Sequence, residues 1–486
     1  MKPYNDLREF IQACDEIGEL KRYDGADWNL EIGALTELES EQRGSALLFD
    51  EVPGYPSGYR VFTNGPITLR RSALALGFPL DLPGIELLKL WKQRFRELRP
   101  IPPVEVDDGP VLENVITGEA INLFKFPVPK WHELDGGRFI GTQDAVITRD
   151  PDEGWVNLGT YRVMCHDKKS ATVMANHGKH NRIMMDKYHR RGEPCPAAVV
   201  IGADPLIWAV SMTSLPWGVS EYDFAGSFLG EPMQVVRAPY TGLPVPANAE
   251  IVIEGEIPPL SVRAEDEGPF GEWAGYYSHF VKKSGYVLEV KSVLHRHNPV
   301  LGGAPPLRPP MENDYALPFK MAGAVWYQLE VAGISGIKGV WQLAMEGGPS
   351  ILVVALKQQY AGHAKQVALA AASSRGGAFV GKVVIVVDDD VDITDNDQVL
   401  WALGTRMNVD NVDIVKGLPT DPTDPSTPPG LRYSGYAVNS RLIIDACRPY
   451  ATLQDFPPVN VFGEEYRKKI REKWGIQVKN KEGDRK

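Results

Sequence analysis

The chain has 486 residues and a mass of 53.7 kDa, a length that sets an expectation of two to three domains. Apolar residues make up 43% and charged residues 24%, which allows a large buried core and excludes a disordered chain. Against 52 Lys and Arg stand 63 Asp and Glu, and the net charge of -11 argues against general binding to nucleic acid or anionic membrane, where phosphates call for clustered cations. The four cysteines, Cys14, Cys165, Cys195 and Cys447, are too scattered for a disulfide framework or a CxxC zinc pair. They fit reduced, buried thiols in a cytoplasm. The N-terminus, MKPYNDLREFIQACDEIGEL, is charged and amphipathic, unlike a signal peptide. No apolar run reaches the roughly 18 residues of a membrane span.

In chain order, Leu7, Phe10, Ile11, Cys14 and Ile17 recur at helical spacing and predict a helix over 5–18, with Asn5 and Asp6 as caps. Strand-like runs follow at 45–52 (SALLFDEV) and 59–64 (YRVFTN), then the helical stretches LRRSALALGF and ELLKLWKQRFREL. This mixture predicts an N-terminal α/β domain over 1–110, closed by the Pro- and acid-rich segment 99–111. Over 111–305 short apolar runs (QDAVITRD, NLGTYRVMC, SATVMAN, AAVVIGAD, AEIVIEGEI, YVLEVKSVLHR) alternate with Gly, Pro and Asp, the pattern of an antiparallel barrel or sandwich. One helix, 180–193, interrupts it. After PPLRPPMEND, the strand SILVVAL, helix HAKQVALAAASS, strand KVVIVVDDD and helix NDQVLWALGTRM predict a C-terminal α/β domain over 306–450. The stretch 416–430 reads as a Pro-rich surface loop, and 451–486 as a tail whose charged helix (463–475) has few core positions.

Several motifs fail. GGAFVGKV (376–383) approaches a phosphate loop, but Val383 stands where a magnesium-binding hydroxyl is needed and Lys382 opens a strand, so no helix N-terminus faces a phosphate. DDDVDITDNDQ (388–398) lacks the Gly and Glu of a calcium loop and reads as a strand end and an acidic helix cap. GxGxxG, GxSxG and HExxH are absent, leaving NTPase, Rossmann dehydrogenase and α/β-hydrolase readings without support.

Three polar clusters in the middle region remain. In Asn157-Leu-Gly-Thr-Tyr-Arg162, an alternating strand puts Asn157, Gly159 and Tyr161 on one face and Thr160 and Arg162 on the other; a half-exposed strand with a solvated arginine accounts for it equally well. His177-Gly-Lys-His180 opens a helix and could share a metal, or be a plain polar helix start. Ser220-Glu221-Tyr-Asp-Phe-Ala-Gly is followed by Glu267-Gly-Pro-Phe-Gly-Glu272, two glutamates about a turn that can converge on one cavity. Like charges held close raise one pKa, which suits a general acid; solvated glutamates at a turn are the bland alternative.

In the order N-x4-R, H, SEY-x2-AG and EGPFGE, these clusters resemble the UbiD-type decarboxylases, which use prenylated FMN. Further matches are NAEIVIEGEI (248–257), QQYAGHAKQ (358–366), VVIVVDDDVD (383–392) and QVLWALGTRM (398–407), so the resemblance covers residues 5–450. It implies an α+β multidomain fold: a central flavin-reductase-like split β-barrel carrying the site, flanked by N-terminal and C-terminal α/β domains. By position, Asn157, His180 and Glu221 match the family's divalent-metal ligands, normally manganese, which bridge the protein to the flavin phosphate. Thr160, Tyr161 and Arg162 match the cofactor-binding stretch, and Met174, Ala175, Asn176 and Lys179 fall in a second flavin-contacting segment. Ser211 and Met212 resemble the segment near the phosphate and a monovalent cation, often potassium, with spacing to Glu221 consistent with a one-residue insertion around Pro216-Trp217. Lys382 matches a lysine that reaches the phosphate.

The family's Glu-Arg-Glu network maps onto Arg162, Glu267 and Glu272: Arg162 clamps a carboxylate, Glu267 holds the guanidinium, and Glu272 supplies the proton that replaces CO2. The cofactor's iminium-like ring takes up electron density as the C–C bond breaks. The resemblance thus implies a reversible, non-oxidative decarboxylase of an aromatic, heteroaromatic or α,β-unsaturated carboxylic acid. A flavin prenyltransferase would supply the cofactor, and the enzyme would form a homodimer or homohexamer. The loop PPMENDY (Met311, Glu312, Asn313 and Asp314 among its residues) resembles the phenolic-acid branch, pointing to 4-hydroxybenzoate- or vanillate-type acids, with heteroaromatic acids and aryl-CoA thioesters as alternatives. Two other readings are a flavin-dependent reductase on a split barrel, which would leave the Glu-Arg-Glu set idle, and a non-catalytic flavin-binding subunit of a carboxylase complex.

Overall fold

Asp6 accepts a hydrogen bond from the Glu9 amide (2.9 Å) and so starts the first helix, Leu7–Glu16, which buries Leu7, Phe10, Ile11 and Cys14. The computed structural model describes residues 4–476 except 98, 177, 214, 278–282, 313–320, 347, 349, 422 and 433–436. Strands Leu20–Asp24, Ala46–Asp50 and Arg60–Thr63, with helices Glu31–Glu41, Leu69–Leu76 and Gly84–Arg96, make an N-terminal unit. The fourth strand of its sheet, Val300–Gly303, comes from far along the chain and pairs in parallel with Arg60–Thr63. A short strand buried on both faces carries no mark of which sheet receives it.

The middle region forms an open antiparallel sheet of ten strands, with Arg138–Gly141 at one edge and Val156–Gly159 at the other. The long strand Lys283–His295 is its spine: Ala264–Glu267 and Ser170–Val173 pair with its first half, Ile251–Ile257 and Asn114–Thr117 with its second. Two helices, His180–Arg190 and Glu221–Leu229, pack on the edge strand Val156–Gly159. That juxtaposition builds the site.

In the C-terminal unit the strands run Ile337–Gln342, Ile351–Leu356, Val383–Asp388, Val438–Ala446 and Asp413–Pro419 across the sheet, the middle three parallel. Asp413–Pro419 takes up the start of the stretch read as a loop: a mostly exposed edge strand with Gly417 and Pro419 in it lacks the apolar alternation that announces one. Asp395 caps helix Asn396–Arg406 through the Asp397 amide (3.1 Å), and Arg406 returns to Asp388 (3.0 Å) and Asp390 (2.7 and 2.9 Å). The acidic run therefore serves as strand end, cap and ion pairs.

One apolar core runs from Leu87 and Trp91 through Ile147 and Val200 to Val353 and Val386, joining all three units. A second, around Leu47, Trp131, Phe139 and Ile253, seals the first unit onto the middle sheet. Helix Glu464–Trp474 buries none of its residues. Among the described residues no helix is long and apolar enough to cross a membrane.

Candidate active site

The stretch 157–165 does not run as one strand. It pairs through Gly159, breaks over 160–162, and resumes as Val163–Cys165. At the break the Thr160 amide donates to the Ser211 carbonyl (3.3 Å) and its hydroxyl to the Asp144 carbonyl (3.0 Å). The Tyr161 ring folds back over Gly159, where a Cβ would lie 2.5–2.8 Å from ring atoms, so the close approach requires glycine. Simple alternation of faces therefore ends here, and Arg162 is aimed by the break rather than by the pleat.

One guanidinium gathers both candidate carboxylates. Arg162 Nε and one terminal nitrogen donate to Glu267 (2.7 and 2.9 Å), and the other terminal nitrogen donates to Glu272 Oε1 (2.7 Å). Glu267 ends strand Ala264–Glu267 with its side chain 1% exposed; Glu272, across the turn, is 14% exposed. Phe270 between them lies 5.7 Å from the guanidinium and stacks on Phe139 at 3.8 Å. A division in which only one glutamate pairs with Arg162 is thus not what the fold displays. The two differ in denticity and burial.

The second group lies on the edge strand and the two helix starts. Glu221, first residue of its helix and buried, accepts a hydrogen bond from the Leu158 amide (2.7 Å), which sets its carboxylate beside Asn157. Burial pushes the Glu221 carboxyl up to about 8, against the stabilising Leu158 amide. Asn157 is buried and its Nδ2 has no hydrogen-bond partner. His180 opens its helix with the imidazole edge-on to the rings of Trp155 (5.5 Å) and Trp217 (5.3 Å). Burial lowers its pKa, helped by the charges of Arg375 and Lys179, and so favours the neutral, ligand-competent imidazole.

The remaining predicted residues fall around these two groups. Tyr161 is buried and held in its neutral form, by burial first and then by the Glu221 charge. The Met174 amide donates to the Arg162 carbonyl (3.2 Å), Ala175 is buried beside it, and the Asn176 carbonyl accepts from the Lys179 amide (3.3 Å). Lys179 is solvent-accessible; desolvation by the surrounding protein lowers its pKa, Asp421 opposing and Arg375 assisting. Ser211 bonds within its own helix (2.7 Å to the Ile207 carbonyl) and Met212 caps that helix. Lys382 instead engages Asp424 (3.1 and 3.2 Å) and Ser426 (2.5 Å) in the C-terminal unit. His177, Asn313 and Asp314 lie outside the described residues. Met311 and Glu312, expected in a substrate loop, are buried, and Gln143 donates to Glu312 at 2.6 Å.

Reading the sequence missed several neighbours. Asn181, beside His180, is buried with neither side-chain polar atom hydrogen-bonded. Asp144 is buried and pushed well above the carboxylate range by desolvation. An acid opening the apolar run AVIT was the signal for it. Arg375 and Asp421, from the C-terminal unit, act on Lys179 only because the fold brings them there.

Among the described residues no group of three or more His, Cys, Asp and Glu side chains is placed to hold a metal. The Asn157–His180–Glu221 set contains only two such residues. Its orphaned buried amide, neutral imidazole and buried carboxylate nevertheless form an oxygen-and-nitrogen donor set fitting a hard-to-borderline divalent cation.

Comparison with known proteins bears on this arrangement. Residues 11–91, 103–309 and 321–446 match the N-terminal, Rift-related and C-terminal domains of 3-octaprenyl-4-hydroxybenzoate carboxy-lyase. Pyrrole-2-carboxylic acid decarboxylase of Pseudomonas aeruginosa is 34% identical over 418 residues, covering 82% of this chain and 83% of that one. Phenolic acid decarboxylase of Bacillus subtilis is 32% identical over 456 residues, covering 92% and 93%. Among solved structures, the vanillic acid decarboxylase of Sedimentibacter hydroxybenzoicus in closed form superposes with a TM-score of 0.83 at 30% identity, covering 97% of this chain and 99% of that one. An evolved dimeric form of the UbiD-class enzyme HmfF from Pelotomaculum thermopropionicum, in complex with prFMN, has a TM-score of 0.80 at 27% identity, covering 95% and 98%. The chain belongs to the UbiD family and is an enzyme of the carboxy-lyase class.

Proposed function

We propose that the protein is a reversible, non-oxidative decarboxylase of an aromatic (phenolic or heteroaromatic) or α,β-unsaturated carboxylic acid, working with prenylated FMN on a split β-barrel of flavin-reductase type. The observation that carries this reading is the Glu267–Arg162–Glu272 cluster, one guanidinium held by two unequal carboxylates. Prenylated FMN, when bound, supplies the electron sink for C–C cleavage. Glu267 fixes Arg162 from below with two hydrogen bonds. The arginine nitrogen now on Glu272 is the one a substrate carboxylate would compete for, so substrate arrival would release the Glu272 carboxylate to take up a proton from solvent and pass it to the carbon that loses CO2. Phe139 and Phe270 offer an apolar wall that keeps water from that carbon.

Asn157, His180 and Glu221 would hold a divalent cation such as manganese against the flavin phosphate. Ser211 and Met212 would lie near a potassium ion. Thr160, Tyr161, Met174, Ala175, Asn176 and Lys179 would line the flavin, and Lys382 would exchange Asp424 for its phosphate. The names of the relatives favour phenolic acids and pyrrole-2-carboxylate as the first acids to try. A flavin prenyltransferase would supply the cofactor. A homodimer or homohexamer assembled through helix Glu464–Trp474, whose Trp474 is exposed, and a cytoplasmic location suited to four free cysteines complete the reading.

The test is to co-express the chain with a flavin prenyltransferase, record the flavin absorbance, and follow CO2 release from a panel of carboxylic acids without NADPH. CO2 release with hydrogen–deuterium exchange at the vacated carbon is expected. A flavin-loaded protein that acts on an unsaturated substrate only when NADPH is added would favour a reductase instead.

A further inference from the structure

Glu272 sits on a closed turn whose two flanks are braced by the same pair of residues. Within the turn, the Glu272 amide donates to the Tyr276 carbonyl (3.0 Å) and the Gly275 amide to the Glu272 carbonyl (2.8 Å). On the entry side, the Gly136 amide donates to the Pro269 carbonyl (2.8 Å), and a Cβ on Gly136 would lie 1.9 Å from the Gly268 carbonyl oxygen. That approach is possible only without a side chain. On the exit side, the Tyr277 hydroxyl donates to Asp135 Oδ1 (2.8 Å). Asp135 is 5% exposed; its other oxygen accepts from the His132 amide (2.9 Å) and stands 4.0 Å from His132 Nδ1.

Residues 135 and 136 thus grip the segment before Glu272 by its backbone and the segment after it by a side chain. Asp135 meets the turn through Tyr277 (2.8 Å), while Arg162 meets it through the carboxylates of Glu267 and Glu272. A buried carboxylate with a hydroxyl and an amide aimed at its two oxygens is a fixed point, because losing either donor would leave a buried acceptor unsatisfied. A misplacement of about 1 Å in a reacting group can cost about 10²-fold in rate. We infer that Asp135, acting through Tyr277, is a positioning residue for Glu272 as proton donor; the inference rests on the decarboxylase reading above.

The test uses holoenzyme made with a flavin prenyltransferase and an acid that the wild type decarboxylates. Tyr277→Phe is expected to lower kcat per bound flavin about tenfold, with solvent deuterium exchange falling in parallel and KM and flavin content unchanged. Asp135→Ala is expected to behave alike, while Asp135→Asn, which keeps an oxygen for the Tyr277 hydroxyl but loses the acceptor for the His132 amide, is expected to lose less of the rate than Asp135→Ala. Should Tyr277→Phe fail to fold, the contrast between Asp135→Asn and Asp135→Ala decides on the same readouts. Wild-type kcat and exchange in Tyr277→Phe or Asp135→Ala overturn the inference, as does a loss accounted for wholly by missing flavin. A flavin-loaded wild type that decarboxylates no acid of the panel would overturn the underlying reading and this inference with it, an outcome distinct from a wild-type rate in Tyr277→Phe.

Discussion

Arg162 donates to two chemically identical partners, Glu267 and Glu272, and position alone separates their roles. Glu267 is the more buried and holds two of the bonds, so it is costly to disturb; Glu272 holds one and is more open. Glu272→Gln keeps the shape and can still accept from Arg162, yet has no proton to give. Turnover per bound flavin should fall at least ~10²-fold, with solvent exchange into the product position falling alongside. An active Glu272→Gln enzyme with normal exchange would place the proton source elsewhere. Glu267→Gln should act through Arg162, reducing flavin maturation or substrate orientation more than proton transfer. At His180 the expectation concerns binding. Because the helices that begin at His180 and Glu221 both pack on the strand that carries Asn157, His180→Ala should lower both manganese and flavin in the purified protein, read by elemental analysis and absorbance. Full flavin occupancy with manganese gone would disconnect the two.

At the scale of elements, the site depends on a strand that stops. Strand Val156–Gly159 ends where Thr160 turns its amide to Ser211 and its hydroxyl to Asp144, and Tyr161 folds over Gly159. Gly159→Ala would drive a methyl into that ring, an overpacking that costs about 1–3 kcal/mol. A lowered thermal midpoint together with reduced flavin retention is expected, since Arg162 follows two residues later. Wild-type flavin retention in a destabilised Gly159→Ala protein would mean that the break does not aim the site. The helices His180–Arg190 and Glu221–Leu229 contribute by their first residues, so both candidate ligands stand where backbone amides point outward.

At the scale of the whole molecule, a continuous core ties the C-terminal unit to the first two, and the charges of Arg375 and Asp421 act on Lys179 across that junction. A second junction, between the N-terminal unit and the middle sheet, holds Glu312. Burial pushes its carboxyl up to about 8 from 4.5, opposed by Arg71, the amides of Asn64 and Gly65, and Gln143. Between those values the folded protein keeps a proton that the unfolded chain has released. This contribution is therefore full below pH 4.5 and is lost as pH rises through 8, with a slope of at most about 1.4 kcal/mol per pH unit for one proton. Glu312→Gln should flatten the fall of the thermal midpoint between pH 5 and pH 8.5, and an unchanged pH profile would assign the proton to another group.

Residue type and spacing alone determined much of this protein. Apolar period located Leu7–Glu16, His363–Ser373 and Asn396–Arg406, and acidic caps marked the starts of the first and third, because those signals are local. The order of N-x4-R, SEY-x2-AG and EGPFGE marked Asn157, Arg162, Glu221, Glu267 and Glu272 through its resemblance to the UbiD-type decarboxylases, the single residue types being common in the chain. Tertiary structure decided the rest. Only folding showed that Val300–Gly303 belongs to the first sheet, that one arginine holds both glutamates, that Lys382 sits on Asp424, and that Asp135 reaches Tyr277 from 142 residues away. Long-range pairing of this kind depends on which strand edges and turns the core presses together, and no local pattern of residues encodes that contact.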